Sequence, residues 1–261
     1  MVYSPLEQFE IFPLIPLRLG SLDLSFSNSS LLMLFSVMGF SLMMLATAGP
    51  GNGLLVPSRW QAVVEGLYSA VLSTIKDTIG VKDGNNYVSF IFTLFSFLLV
   101  CNLFGLVPYS FTATSHLAVT LTLGLAVWVG KLIIGVRAHG LKLAGMFLPQ
   151  GIPLAMYPFL VGIEILSFFM VLISLPVRLF ANMMSGHILL KVLAGFAWSM
   201  MASGGVLFIA HFAPLAVLFA LMFLETGVAL VQAYVFTLLT CMYIADVIKG
   251  GHLFILLTLI V

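Results

Sequence analysis

Four formally charged side chains stand between Leu143 and Ala245: Glu164, Arg178, Lys191 and Glu225. Arg178 lies in SLPVRLFANMMSGH, with Leu, Phe, Val, Ile, Met and Ala dominating on both sides. A guanidinium stays protonated at any physiological pH, and placing it in lipid costs roughly 2.5–3.5 kcal/mol on insertion scales. A residue of that kind implies a partner charge or an ion path, and Asn182, His187 and Gln232 are the polar groups nearest to hand. Glu164 and Arg178 are fourteen residues apart, about 40° from alignment on a helix. Asn182 follows Arg178 by one turn, on nearly the same face. Glu225 and Gln232 fall within about 20° of each other, with Asp246 fourteen residues further on. Two helices with sparse ionisable stripes can face each other or a shared cavity. His187 comes nine residues after Arg178 and points to about the opposite face, which suits two polar pockets rather than one.

Blander readings compete at each position. Glu164 and His211 could each make a single interhelical hydrogen bond. Lys191 reads as a snorkelling side chain at an interface. For Arg178 with Glu225 the blander alternative is a buried ion pair, but such pairs gain little stability, and in membranes they usually mark function. No enzyme constellation is present: there is no HExxH, no Walker sequence and no nucleophile elbow, and GPGNG at 49–53 reads as a turn. The histidines lack metal-site spacing, and no cofactor is expected. Cys101 and Cys241 stand far apart in apolar runs and read as buried free thiols.

These residues need a membrane to hold them. The chain is 62% hydrophobic and 7% charged, with a mean hydropathy of +1.21. A soluble domain carries about 25% charged residues, so this composition is that of an all-α polytopic membrane protein in a lipid bilayer. A net charge of +1 leaves no electrostatic footprint for nucleic acid. Glu7, Glu10 and several prolines precede the first apolar run, unlike a signal or transit peptide.

One membrane domain is expected over 1–261. Residues 1–30 read as an extended arm and 31–48 as a first span. Residues 57–79 carry Val64, Leu67, Val71 and Ile75 at helical spacing with Glu65, Ser69, Ser73 and Lys76 between them, the pattern of an amphipathic helix on the membrane surface. Residues 87–136 form a hairpin of two spans, 87–107 and 115–136. Its flanks carry Arg59, Lys76, Lys82, Lys131, Arg137 and Lys142, while the tip YSFTAT carries no charge. The positive-inside rule puts the flanks in the matrix or cytoplasm and the N-terminus opposite.

From 150 to 249 the chain is nearly all apolar. Two segments of more than 40 residues meet at Ser203-Gly204-Gly205. As continuous helices each would be about 60 Å long, twice the hydrocarbon thickness. Either each breaks into two spans, with Pro176 and Pro214 as breakers, or each is one strongly tilted helix. A widened or bent turn is expected between Leu172 and Arg178, because Pro176 cannot donate to the Leu172 carbonyl. A secondary transporter would show inverted repeats and Lys-bearing broken helices, and a passive scaffold would have no use for Arg178.

ISLPVRLFANMMSGHILLKVLAGFAW at 173–198 and LETGVALVQAYVFTLLTCMYIAD at 224–246 resemble subunit a of the rotary F-type ATP synthase in its mitochondrial form. SPLEQFEI at 4–11, NLFGLVPYSFTATSHLAVTL at 102–121 and LPQGIPLAMYPFL at 148–160 extend the resemblance over nearly the whole chain. It implies about five membrane-embedded helices, the last two long and strongly tilted, beside a ring of c subunits. It also implies a peripheral-stalk subunit b, small membrane subunits and protons as partners, in the mitochondrial inner membrane. The family's essential arginine falls on Arg178. Its proton-path residues fall on Glu225, His187, Gln232, Asn182 and Glu164, with Asp246 as a further candidate. The His187 and Glu225 order is that of mitochondrial members. Pro176 departs from the family, which usually has glycine there. The tail after Asp246 is longer than expected and is assigned no role.

Overall fold

The computed structural model describes residues 7–19, 22–23, 25–48, 57–107, 110–140 and 157–249. The motif LPQGIPLAMYPFL lies largely outside them, as does most of the C-terminal tail.

The arm is extended, with a short 3-10 turn at Glu7–Phe9 and four very short strands. β1 (Pro13–Ile15) pairs antiparallel with β4 (Phe26–Ser27), and β2 (Arg18–Leu19) with β3 (Leu22–Asp23). Asn28 joins this arm to the first helix. Its side-chain oxygen accepts from Phe12 N–H, and its amide donates to the Glu10 carbonyl at 3.1 Å. The helix α1 (Asn28–Ala48) therefore starts before residue 31, at a residue suited to an N-terminus.

The amphipathic pattern becomes α2 (Arg59–Thr78), with Ser58 accepting from Gln61 N–H at its start. Val64, Val71 and Ile75 are buried, while Glu65, Ser69, Ser73 and Lys76 are exposed. Gly80, at φ 108°, turns the chain into the single-turn α3 (Val81–Gly84). The hairpin follows as α4 (Val88–Gly105) and α5 (Leu117–His139). Tyr68 meets Phe92 edge-on at 5.4 Å, seating α2 on α4.

The last apolar stretch forms α6 (Tyr157–Ser203), α7 (Val206–Ala210) and α8 (Phe212–Lys249). The long segments are thus long helices, not broken spans: at 1.5 Å per residue α6 is about 70 Å long and α8 about 57 Å. Gly204 and Gly205 take φ of 66° and 62°, a left-handed link that only glycine enters cheaply. Pro214 is not a mid-helix breaker. It falls in the first turn of α8, where a missing N–H matters little. Among the described residues, five helical stretches are long and apolar enough to cross a membrane: α1, α4, α5, α6, and the α7–α8 stretch from Phe208.

Pro176 lies inside α6, which stays α-helical through it, so the expected widened turn is absent. The ring is fully buried against Gly124 of α5, where a Cβ would come within 2.5 Å of the ring Cγ and 3.4 Å of the Leu172 carbonyl oxygen. A glycine on the neighbouring helix makes room for the proline.

The residues gather into two compact units. One comprises Met1–Val56, Ser96–Leu117 and Leu179–Tyr234; the other comprises Pro57–Phe95, Ala118–Arg178 and Val235–Val261. In the second unit Lys131 departs from its sequence reading as an aqueous flanking charge. It is only 3% exposed, with its ammonium 4.7 Å from the centre of the Phe168 ring and 5.5 Å from that of Tyr243. Two aromatic faces accommodate the cation that the orientation rule assigns to water.

Candidate functional site

The first unit contains a polar ladder between α6 and α8. Asn182 Nδ2 donates to Gln232 Oε1 at 2.9 Å. His187 Nδ1 lies 3.6 Å from Glu225 Oε1. The register is antiparallel: five residues forward on α6 correspond to seven backward on α8. Gln232 and Glu225 share a face because seven residues make nearly two turns. His187 meets the same helix as Asn182, so the histidine joins the stripe on α8 and does not form a pocket apart from it. Glu225, set against Arg178 in the ion-pair reading, has His187 as its ionisable partner.

Small residues allow this approach. Gly186 sits opposite Glu225, and a Cβ there would lie 2.7 Å from Oε1. Glu225 is 5% exposed, and neither of its carboxylate oxygens has a hydrogen-bond partner among the described residues. A cavity of about 340 Å³ adjoins it, lined by Asn182, Ser185, Gly186 and Glu225 with leucines from both helices. A carboxylate with two unengaged oxygens is costly in a dry site, so this one suits a group that binds and releases protons beside water.

The hairpin tip completes the site. The hydroxyl of Thr112 lies 3.0 Å from His187 Nε2 and donates to the Gly105 carbonyl at 3.3 Å. Asn102 on α4, fully buried, donates to the Ala229 carbonyl of α8 at 3.2 Å. His116 stacks on Phe111 at 4.8 Å and meets Phe9 of the arm edge-on, closing the tip. Thr112, Asn102 and Gly186 carry no site signal in the sequence, where threonine in a turn and glycine in a membrane helix are ordinary.

The remaining expected site residues belong to the second unit. Arg178 is half-buried on α6, within electrostatic reach of the Tyr243 phenol. Asp246 is buried on α8, one turn beyond Tyr243. Glu164 is on α6, but its side chain lies outside the described residues. His211 makes a local contact from Nδ1 to the Phe208 carbonyl at the α7–α8 junction, so the interhelical bond considered for it is not the one seen. Among the described residues there is no group of three or more His, Cys, Asp or Glu that could hold a metal.

The family model described as ATP synthase A chain matches residues 29–245, from the start of α1 to the residue before Asp246. The chain belongs to the ATP synthase subunit a family. It is 48% identical to ATP synthase subunit a of Chondrus crispus over 248 residues, covering 95% of this chain and 97% of that one. It is 47% identical to the Marchantia polymorpha protein of the same name, over 95% of this chain and 99% of that one. Identity to the Parvibaculum lavamentivorans protein is 46%, over 95% of each chain. The protein is therefore a multi-pass, proton-translocating stator subunit of the membrane sector. It is not itself the catalytic part, and its partners are other subunits of the ATP synthase.

Proposed function

We propose that the chain forms two aqueous half-channels against a ring of c subunits, with Arg178 as the fixed charge between them. The observation that carries this reading is the ladder of Asn182–Gln232 and His187–Glu225 beside a cavity, in helices otherwise almost free of charge. Glu225, His187, Gln232 and Asn182 line the path on the intermembrane side. Glu164 and Asp246 serve the other side.

The chemistry follows from solvation. A ring carboxylate facing lipid is neutral, because desolvation disfavours its anion. Opposite the guanidinium of Arg178 the anion is favoured, and the proton leaves. The same fixed charge repels protons that would otherwise leak across. Each proton crossing the membrane potential supplies about 2.3 kcal/mol per 100 mV, delivered as ring rotation. The steep slant of α6 and α8, required by their length, extends contact along the ring. Peripheral-stalk subunit b and small membrane subunits hold the chain still.

The order of His187 and Glu225, with the arm SPLEQFEI, supports the mitochondrial inner membrane, with α2 lying on the bilayer surface and the hairpin flanks in the matrix. Co-fractionation with inner-membrane markers tests the location. For the mechanism, Arg178→Ala is expected to abolish proton-driven ATP synthesis in membrane vesicles while the complex still assembles. Normal ATP-driven pumping by an assembled Arg178→Ala complex would sink the proposal.

A further inference from the structure

We infer that Thr112 is a positioning residue: it fixes the tautomer of His187 so that Nδ1, the nitrogen facing Glu225, is the one that takes and gives the proton. The inference rests on the proton-path reading of His187 and Glu225 and adds a residue to it.

A hydroxyl has one hydrogen to donate and can also accept. Thr112 Oγ1 has two partners, the Gly105 carbonyl oxygen at 3.3 Å and His187 Nε2 at 3.0 Å. A carbonyl oxygen can only accept. Both contacts are satisfied together in one way: Thr112 donates to Gly105, and His187 donates Nε2–H to Thr112. The neutral ring then carries its hydrogen on Nε2, and the lone pair of Nδ1 faces Glu225 Oε1, 3.6 Å away. A protonated Glu225 can pass its proton to Nδ1, directly after a small rotation or through one water, and take it back with no other bond rearranged. The Nε2 hydrogen does not move. The reverse tautomer would place N–H against Glu225 and leave the ring no lone pair there to take its proton. Which nitrogen of a histidine reacts is set by the bond that the other nitrogen makes.

Three local features hold the arrangement. Thr112 is 5% exposed, so water does not readily replace its hydroxyl. Gly105 leaves it room, since a Cβ there would lie 2.7 Å from the Thr112 methyl and 3.0 Å from its oxygen. The tip beyond it is tied down by Ser115, whose hydroxyl donates to the Thr112 carbonyl at 2.6 Å.

The test compares two variants of opposite loss in assembled complexes in inverted membrane vesicles. Thr112→Val keeps the shape and removes the hydroxyl; Thr112→Ser keeps the hydroxyl and removes the methyl. ATP-driven proton pumping per assembled complex is expected to fall about tenfold in Thr112→Val, the factor expected when a buried donor loses its acceptor. Thr112→Ser is expected to restore most of it. Gly105→Ala, which crowds the hydroxyl from the other side, is expected to lower pumping as Thr112→Val does, and it serves as the second variant if Thr112→Val does not assemble. Pumping that is better in Val than in Ser would show a packing role and overturn the inference, as would wild-type pumping in both Thr112→Val and Gly105→Ala. His187→Ala and Glu225→Gln run beside them. If those two pump normally, the proton-path reading itself fails; if they are blocked while Thr112→Val and Gly105→Ala pump as wild type, the positioning role alone fails.

Discussion

Gly186→Ala tests whether the exact placement of Glu225 matters to proton transfer. The new methyl would sit 2.7 Å from Glu225 Oε1, 3.0 Å from Cδ and 3.3 Å from Cγ. An ordinary contact begins near 3.4 Å, so the carboxylate oxygen must withdraw by about 0.7 Å. The obstacle meets the far end of a flexible side chain, not backbone, so Glu225 yields before α6 and α8 separate. Rotating it off its preferred angles costs about 0.5–1.5 kcal/mol, which overlaps the lower end of the roughly 1–3 kcal/mol usual for one added methyl in a packed site. At 3.6 Å from His187 Nδ1, Glu225 needs a small rotation or one bridging water to transfer its proton, and a displacement of this size disturbs either route. Proton pumping should fall about tenfold, one factor of ten per 1.4 kcal/mol, while the subunit is still incorporated. ATP-driven dye quenching in inverted vesicles measures pumping, and immunoblotting of the purified complex measures incorporation. Wild-type quenching at normal incorporation would show that the position of Glu225 is not what limits the path.

Gly124→Ala should behave in the opposite way. Its methyl would meet the rigid ring of Pro176 at 2.5 Å with no side chain able to yield, so the subunit should be lost from the complex, read as lowered abundance of the assembled sector after mild detergent extraction. Cysteines placed at His187 or Glu225, with the buried Cys101 and Cys241 first replaced, should react with a membrane-impermeant maleimide from the intermembrane side. Silence at both positions in an assembled complex would count against water in this cavity.

Much of the site is legible in the sequence because polarity is rare here. Asn182, His187, Glu225 and Gln232 stand out against apolar helices, and helical periodicity alone puts Gln232 and Glu225 on one face. Periodicity treats each helix by itself, however, so it sets His187 opposite Arg178 but does not say which neighbour the ring meets. Thr112 and Asn102 give no signal, since their roles come from approaching α6 and α8 across a long sequence separation. Lys131 misleads for a related reason: grouped with the hairpin's flanking charges it looks solvated unless one knows that Phe168 and Tyr243 face it. The two long segments admit two readings because a proline has opposite meanings in a first turn, as at Pro214, and in an interior, as at Pro176. Only the packing partner at Gly124 explains how the interior one is accommodated.

That packing has a mechanical consequence. A stator must resist torque, and a rod yields at its weakest turn. In α6 that turn is the one at Pro176, where the Leu172 carbonyl lacks its ordinary donor. The ring there is wedged into the notch left by Gly124, so flexing α6 at that point would require prising α5 away from it. The left-handed link at Gly204 and Gly205 has no such wedge: a Cβ at either would meet nothing within 4 Å among the described residues.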